Sequence, residues 1–128
     1  MIVGVDGSEH ARRALVVAAE EARLRGVPLK AVKAVYWDPV GEEFAAPTLD
    51  ELADWGRRVV EAELERTGVR AETIVLPGHP SDALVLASAD AALLVVGSRG
   101  RNPIAGLLLG STSDRCATHA SCPTLIVR

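Results

Sequence analysis

Between Leu93 and Ser113 the chain sets four apolar residues, Leu93-Leu94-Val95-Val96, ahead of Gly97-Ser98-Arg99-Gly100, then nine residues, then Gly110-Ser111-Thr112-Ser113. These residue types at this spacing suit the grip of a phosphate. Four large apolar residues with no polar face fit a strand buried on both sides, as in the middle of a parallel sheet. Gly97 and Gly100 allow positive φ and let a ligand approach main-chain N–H groups that a β-carbon would shield. Gly110 precedes Ser111-Thr112-Ser113-Asp114, hydroxyls suited to cap a helix whose first N–H groups lack partners, and such a helix start is an anion site. Charge points the same way. Residues 97–128 carry Arg99, Arg101, Arg115 and Arg128 against Asp114 alone, a balance of +3 in a chain whose net charge is -3. Positive charge beside the glycines is where a polyphosphate wants it. Turn-forming glycines and solvated arginines are the plainer alternative. No lysine follows Gly110, so the Walker pattern is absent and a P-loop NTPase is not indicated.

The elements that must position this stretch alternate between strand and helix. Ile2-Val3-Gly4-Val5 is a first buried strand, broken by Asp6-Gly7-Ser8, with Ser8 as the N-cap of a helix whose apolar face runs Ala11, Ala14, Leu15, Ala18, Ala22 before Gly26-Val27-Pro28. Leu29 to Trp37 is a second strand, and Lys30 and Lys33 within it imply less burial than the first. A loop with Asp38-Pro39, Gly41 and Pro47 leads to a capping box, Thr48-Leu49-Asp50-Glu51. Leu49, Leu52, Ala53, Gly56, Val59, Val60 and Leu64 form the stripe of that helix, which Gly68 ends. Val69 to Leu76 alternates polar and apolar residues as a strand at or near a sheet edge does. After the turn Pro77-Gly78-His79-Pro80, a short helix runs from Ser81 to about Ala89. The strand at Leu93 to Val96 follows, then a helix from Thr112 to Ala120 and a last strand from Thr124 to Val127. Such alternation predicts an α/β fold, an open five-stranded parallel sheet in the order 3-2-1-4-5 with helices on both faces. Its topological switch lies between the first and fourth strands, so a ligand crevice belongs where Asp6 and Gly97 end them.

A length of 128 residues implies one domain over 1–128, and 48% hydrophobic with 24% charged residues fits a soluble globular protein. With 3% aromatic content the core must be built from Ala, Val and Leu. No apolar run approaches a membrane span of about 20 residues and no signal peptide opens the chain, so a cytoplasmic protein is expected. Cys116 and Cys122 lack the spacing and number of a zinc site and are expected as buried reduced thiols, with a redox role as the alternative. A pI near 5.6 speaks against a nucleic-acid partner. His10, His79 and His119 lack acidic or cysteine partners for a metal site or a triad.

The spacing Gly97, two residues, Gly100, nine residues, Gly110-Ser111 resembles the nucleotide-binding signature of the universal stress protein family, in its ATP-binding branch. The resemblance extends to Val3-Gly4-Val5-Asp6-Gly7-Ser8, Gly78-His79-Pro80 and Cys122-Pro123-Thr124-Leu125-Ile126-Val127, and so covers nearly the whole chain. It implies a Rossmann-like fold of the adenine nucleotide alpha-hydrolase type and a site for ATP, or for AMP or ADP. It also implies that Gly97, Gly100, Gly110, Ser111, Thr112 and Ser113 contact phosphate and ribose, and that Val96 lines the base. Asp6 would lie beside adenine and ribose, and Val35 would supply a main-chain contact to the base. Mg²⁺ or Mn²⁺ would be carried on the phosphates. Read without the family, Asp6 either holds a ligand or bonds the turn and caps the first helix, and Arg99 and Arg101 either clamp phosphate or solvate the loop. Trp37 and Trp55 are packing residues, with Trp37 the one placed near the base. Asn102-Pro103-Ile104 departs from the glycine and phenylalanine that many relatives carry there, and Ala92 from a frequent aspartate.

The function implied is that of a dimeric stress-response sensor or regulator, pairing through the strand Leu125-Ile126-Val127 and read by a further regulatory protein. The alternatives are a slow ATP phosphohydrolase at the same site, with Asp6 as the one good acid near the phosphates, and a dimeric interaction module that binds no nucleotide. No Gly-x-Ser-x-Gly elbow supports a serine hydrolase. A response-regulator receiver would end its third strand in aspartate, whereas this one ends Val75-Leu76-Pro77.

Overall fold

The computed structural model describes residues 1–37, 45–101, 105–106 and 108–128. The expected turn residues Asp38-Pro39 and Gly41, and the departure Asn102-Pro103-Ile104, lie outside them. In chain order come β1 (Ile2–Gly4), α1 (Glu9–Arg25), β2 (Lys30–Val35), α2 (Leu49–Thr67), β3 (Glu72–Pro77), α3 (Pro80–Ala87) with a 3₁₀ turn at Ser88–Asp90, β4 (Leu94–Gly97), α4 (Ser111–His119) and β5 (Thr124–Val127). The strands form one sheet in the order β3-β2-β1-β4-β5, every pairing parallel. This is the order and the doubly wound architecture that the sequence predicts.

Strand alternation divides the core into two layers. Val3, Val5, Ala31, Leu93 and Val95 pack with Ala14, Leu15 and Ala18 of α1 and Val60 of α2. Ile2, Val32, Leu94 and Val96 face the other way, onto Leu84 of α3 and Cys116 of α4. Local signals set the helix ends. Ser8 Oγ accepts the Ala11 N–H at 3.2 Å, and Gly26 closes α1 in the left-handed conformation at φ 63°. Thr48 and Glu51 complete their capping box at the start of α2, and Gly68 ends that helix at φ 69°.

Two expectations about burial are corrected. Lys30 and Lys33 do not make β2 less buried, since five of its six residues are buried and Lys33 is only 6% exposed. The reason is topology: β2 lies inside the sheet between β1 and β3, and α2 covers Lys33. Leu49 does not belong to the buried stripe of α2; it is 74% exposed, its first-turn neighbours Asp50 and Glu51 are exposed as well, and burial begins further along the helix at Gly56.

Candidate functional site

β1 turns toward β2 on one side and the chain returns through β4 on the other, so the carboxyl ends of β1 and β4 open a crevice. A cavity of about 980 Å³ occupies it and continues across the end of β2. All nine residues expected from the sequence line this cavity: Asp6, Val35, Val96, Gly97, Gly100, Gly110, Ser111, Thr112 and Ser113. Their individual roles differ from the expectation in several places.

The glycines serve space, not torsion. Neither Gly97, Gly100 nor Gly110 has positive φ, which corrects the first reading of Gly97 and Gly100. A β-carbon on Gly97 would lie 2.7 Å from the His10 carbonyl carbon and 2.8 Å from the Ala11 nitrogen, so its bareness lets α1 lie against β4. One on Gly100 would come within 3.1 Å of Asp6 Oδ2. Around Gly110 the nearest atoms of the described residues would be 3.6 Å away, an ordinary contact, so none of the described residues demands glycine there.

Hydrogen bonds close the neck of the loop. The Ser98 carbonyl accepts the Gly110 N–H at 2.7 Å, while the Ser98 N–H reaches Val127 O at 2.7 Å. Ser113 Oγ lies 2.9 Å from both Ser98 O and Gly110 O and is buried. Its one proton therefore serves the neck, and the expected ligand hydroxyl at Ser113 is a structural one. The helix start was also expected to be capped by hydroxyls. Instead Gly110 is the N-cap of α4 and among the described residues no side chain caps the helix; its first turn borders the cavity with Ser111 and Thr112 at its edge.

Asp6 takes the turn role weighed for it and also lines the cavity. Oδ1 accepts the Ser8 N–H at 2.8 Å and holds the turn into α1, while Oδ2 faces Gly100. At the β2 end the Val35 main chain is not free for the contact expected of it. Main-chain groups along a parallel strand alternate sides. Lys30 N–H bonds Met1 O and Val32 O accepts from Val5, so even residues face β1. Leu29 O accepts from Glu72 and Val35 O from Gly78 at 2.9 Å, so odd residues face β3. The Val35 carbonyl is thus committed to β3, and Ala34 turns its main chain to the crevice. Val35 contributes a wall.

Sequence reasoning missed Lys33, Tyr36, Trp55 and His79, all of which line the cavity. Lys33 Nζ donates to Ala34 O at 3.2 Å and stands 4.9 Å from the centre of the Trp55 ring. Burial pushes its amine below the ordinary lysine range, Asp6 opposes that shift, and Arg101 adds to it. The Tyr36 and His79 rings lie 5.2 Å apart at the cavity mouth, where Trp55, not Trp37, forms the wall. Lys33 and Val35, two apart on one strand, share a face, which is the signal that would have found Lys33. The charged lining comprises Asp6, Lys33, Arg99, Arg101 and Asp114. Among the described residues no three His, Cys, Asp or Glu side chains gather to hold a metal.

Comparison with known proteins agrees with this geometry. The model of the Universal stress protein family matches residues 1–128. This chain belongs to the universal stress protein family. A universal stress protein of Thermus aquaticus is 36% identical, with 100% of this chain and 97% of the relative covered. One from Mycobacterium tuberculosis is also 36% identical over the whole chain, but only 45% of that longer protein is spanned. Among solved structures, a universal stress protein in complex with cAMP is 30% identical with a TM-score of 0.73, covering 99% of this chain and 94% of that one. The universal stress protein from Archaeoglobus fulgidus in complex with dAMP is 27% identical at TM-score 0.62, covering 99% and 95%. Among the described residues of this family member, no helix is long and apolar enough to cross a membrane.

Proposed function

We propose that residues 1–128 form a single unit that binds ATP, ADP or AMP and reports that binding to a partner protein. The observation carrying this reading is the cavity itself, which has an uncapped helix start at one end and an open main chain at the other. Strands stand about 4.8 Å apart, so β4 and β2, on either side of β1, are separated by about 10 Å. That span suits a nucleotide with its phosphates at Gly100, Gly110 and the first N–H groups of α4 and its base beside Ala34, Val35 and Val96. Complexes of related family members with cAMP and dAMP support the adenine class. Arg99 and Arg101 balance phosphate charge, and Mg²⁺ or Mn²⁺ rides on the phosphates.

β5 is an edge strand of half-buried residues, and a two-fold pairing of Thr124–Val127 would cover it. We read the protein as a cytoplasmic homodimer on that basis, with Cys116 and Cys122 free thiols. A slow hydrolase is the second reading, favoured by the one observation that Asp6 Oδ2 faces the Gly100 loop.

The test is to identify nucleotide released on denaturing fresh protein, then to titrate the emptied protein with ATP and Mg²⁺ by calorimetry and measure its sedimentation mass. One adenine nucleotide per chain, or saturable binding by a dimer, supports the sensor. ADP accumulating during incubation, and abolished in Asp6→Asn, supports the hydrolase. A dimer that binds no nucleotide returns the chain to the class of interaction modules.

A further inference from the structure

The chain has twelve arginines and only two lysines, Lys30 and Lys33. The two lie on one strand in opposite settings. Lys30 is exposed at the start of β2, whereas Lys33 is buried and lines the cavity. Guanidinium groups stay charged under all ordinary conditions, while an amine can lose its proton and become a nucleophile. The single amine among the described cavity residues is therefore chemically unlike every other cation there.

The surroundings of Lys33 set both its reactivity and its reach. Its stem runs over Gly56 of α2, where a β-carbon would lie 3.5 Å from Lys33 Cγ. Among the described residues its ammonium donates one hydrogen bond, to Ala34 O, and the Trp55 ring stands close by. The side chain is buried, which disfavours its charge. Asp6 from the β1 end steadies the charged form, while burial and Arg101 from the loop after β4 disfavour it. The other titratable groups of the lining are Tyr36, His79, Arg99 and Asp114. Asp6, whose charge Lys33 feels, turns Oδ2 toward Gly100, so the field of one carboxylate spans both ends of the cavity.

We propose that Lys33 is an acyl-acceptor site, modified by small acyl phosphates whose phosphate sits at the Gly100 loop and the start of α4. In the step, Lys33 first loses a proton to solvent. Its Nζ lone pair then attacks the acyl carbon. The N–C bond forms, the C–O bond to phosphate breaks with its electron pair leaving on phosphate, and the second amine proton passes to that phosphate. The products are an amide at Lys33 and hydrogen phosphate, with no change of oxidation state. The modified side chain carries no charge, so one cation disappears from the wall opposite the phosphate loop.

This inference rests on the phosphate end of the proposed nucleotide site, and the experiment separates the two. Purified protein is incubated with acetyl phosphate, and acetylation at Lys33 and Lys30 is followed by peptide mass spectrometry. The phosphate seat would hold the acyl donor in the cavity that Lys33 lines, while Lys30 lies outside it, so Lys33 should acetylate on the order of tenfold faster than Lys30. Excess inorganic phosphate should slow labelling of Lys33 and leave Lys30 unaffected. Lys33→Met should retain its fold and leave only the slow background at Lys30. Labelling of Lys30 as fast as Lys33 overturns the inference. So does fast labelling of Lys33 that phosphate does not slow and that a phosphate-free acetyl ester reproduces. Calorimetric binding of ATP with no acetylation of Lys33 sinks this inference alone, whereas phosphate-protected acetylation without ATP binding sinks the nucleotide reading alone.

Discussion

Gly97 and Gly110 look equivalent in the sequence motif but differ in surroundings, and one pair of alanine variants can separate packing at Gly97 from the phosphate contact proposed at Gly110. In Gly97→Ala the new β-carbon meets the His10 carbonyl carbon at 2.7 Å, the Ala11 nitrogen at 2.8 Å and His10 Cβ at 2.9 Å. Two of these are helix backbone, which cannot rotate away, so α1 must move off β4 by several tenths of an ångström. Overpacking of this kind costs about 1–3 kcal/mol. For a chain of this size each kcal/mol lowers Tm by roughly 4 °C, so Gly97→Ala should melt about 4–12 °C below the parent. In Gly110→Ala the backbone has φ -74° and ψ 161°, open to any residue, and the nearest neighbour is 3.6 Å away. Its Tm should stay within about 2 °C of the parent, while the methyl group enters the space kept for phosphate and weakens ATP at least tenfold, about 1.4 kcal/mol. Calorimetric melting and ATP titration of the two variants side by side make the assay. A Gly97→Ala protein that melts with the parent refutes the packing argument. A Gly110→Ala protein that binds ATP unchanged refutes the phosphate assignment.

Thr48→Ala removes the capping box of α2 and should cost about 1 kcal/mol, seen as a fall in Tm of a few degrees with no change in ligand affinity. Lys33→Met exchanges a buried charge for an apolar chain of similar length, so it should melt at or above the parent temperature. The Cys116 thiol, buried against α3 and the sheet, is pushed up from 9.0 to about 11. Folding favours its neutral form, so its contribution is complete below pH 9 and is lost as pH rises toward about 11; Cys116→Ala should flatten the fall in stability across that alkaline window. At neutral pH an alkylating reagent should modify the half-buried Cys122 and spare Cys116 until the protein unfolds.

What the sequence made legible was what adjacent residues decide. Ser8, Gly26, the Thr48–Glu51 box and Gly68 act within one turn of chain, and each ends its helix as expected. Apolar runs located the strands to within a few residues, and their alternation with helices gave the parallel, doubly wound sheet whose expected order the structure has. The misreadings all depend on a neighbour distant in sequence. Lys33 looked exposed because α2, which covers it, begins sixteen residues later at Leu49. Ser113 looked like a ligand hydroxyl because its acceptor, Ser98 O, lies fifteen residues away. The Val35 carbonyl looked free because the Gly78 N–H that occupies it comes after β3, far along the chain. Gly97 was assigned a torsional freedom it does not use because helix-to-strand clearance has no local signature.

The chain's tyrosine and both its tryptophans stand partly in water: Tyr36 is 51% exposed, Trp37 45% and Trp55 40%. Tyr36 and Trp55 border the cavity, and Trp37 adjoins Tyr36 in the chain. The interior, built from Ala, Val and Leu, is therefore spectroscopically silent. Intrinsic emission of this protein monitors its mouth, and should respond to a molecule arriving there more than to loss of the core. A melt followed by fluorescence will understate unfolding that far-ultraviolet dichroism records in full, and the same fluorophores will serve as an unmodified binding indicator.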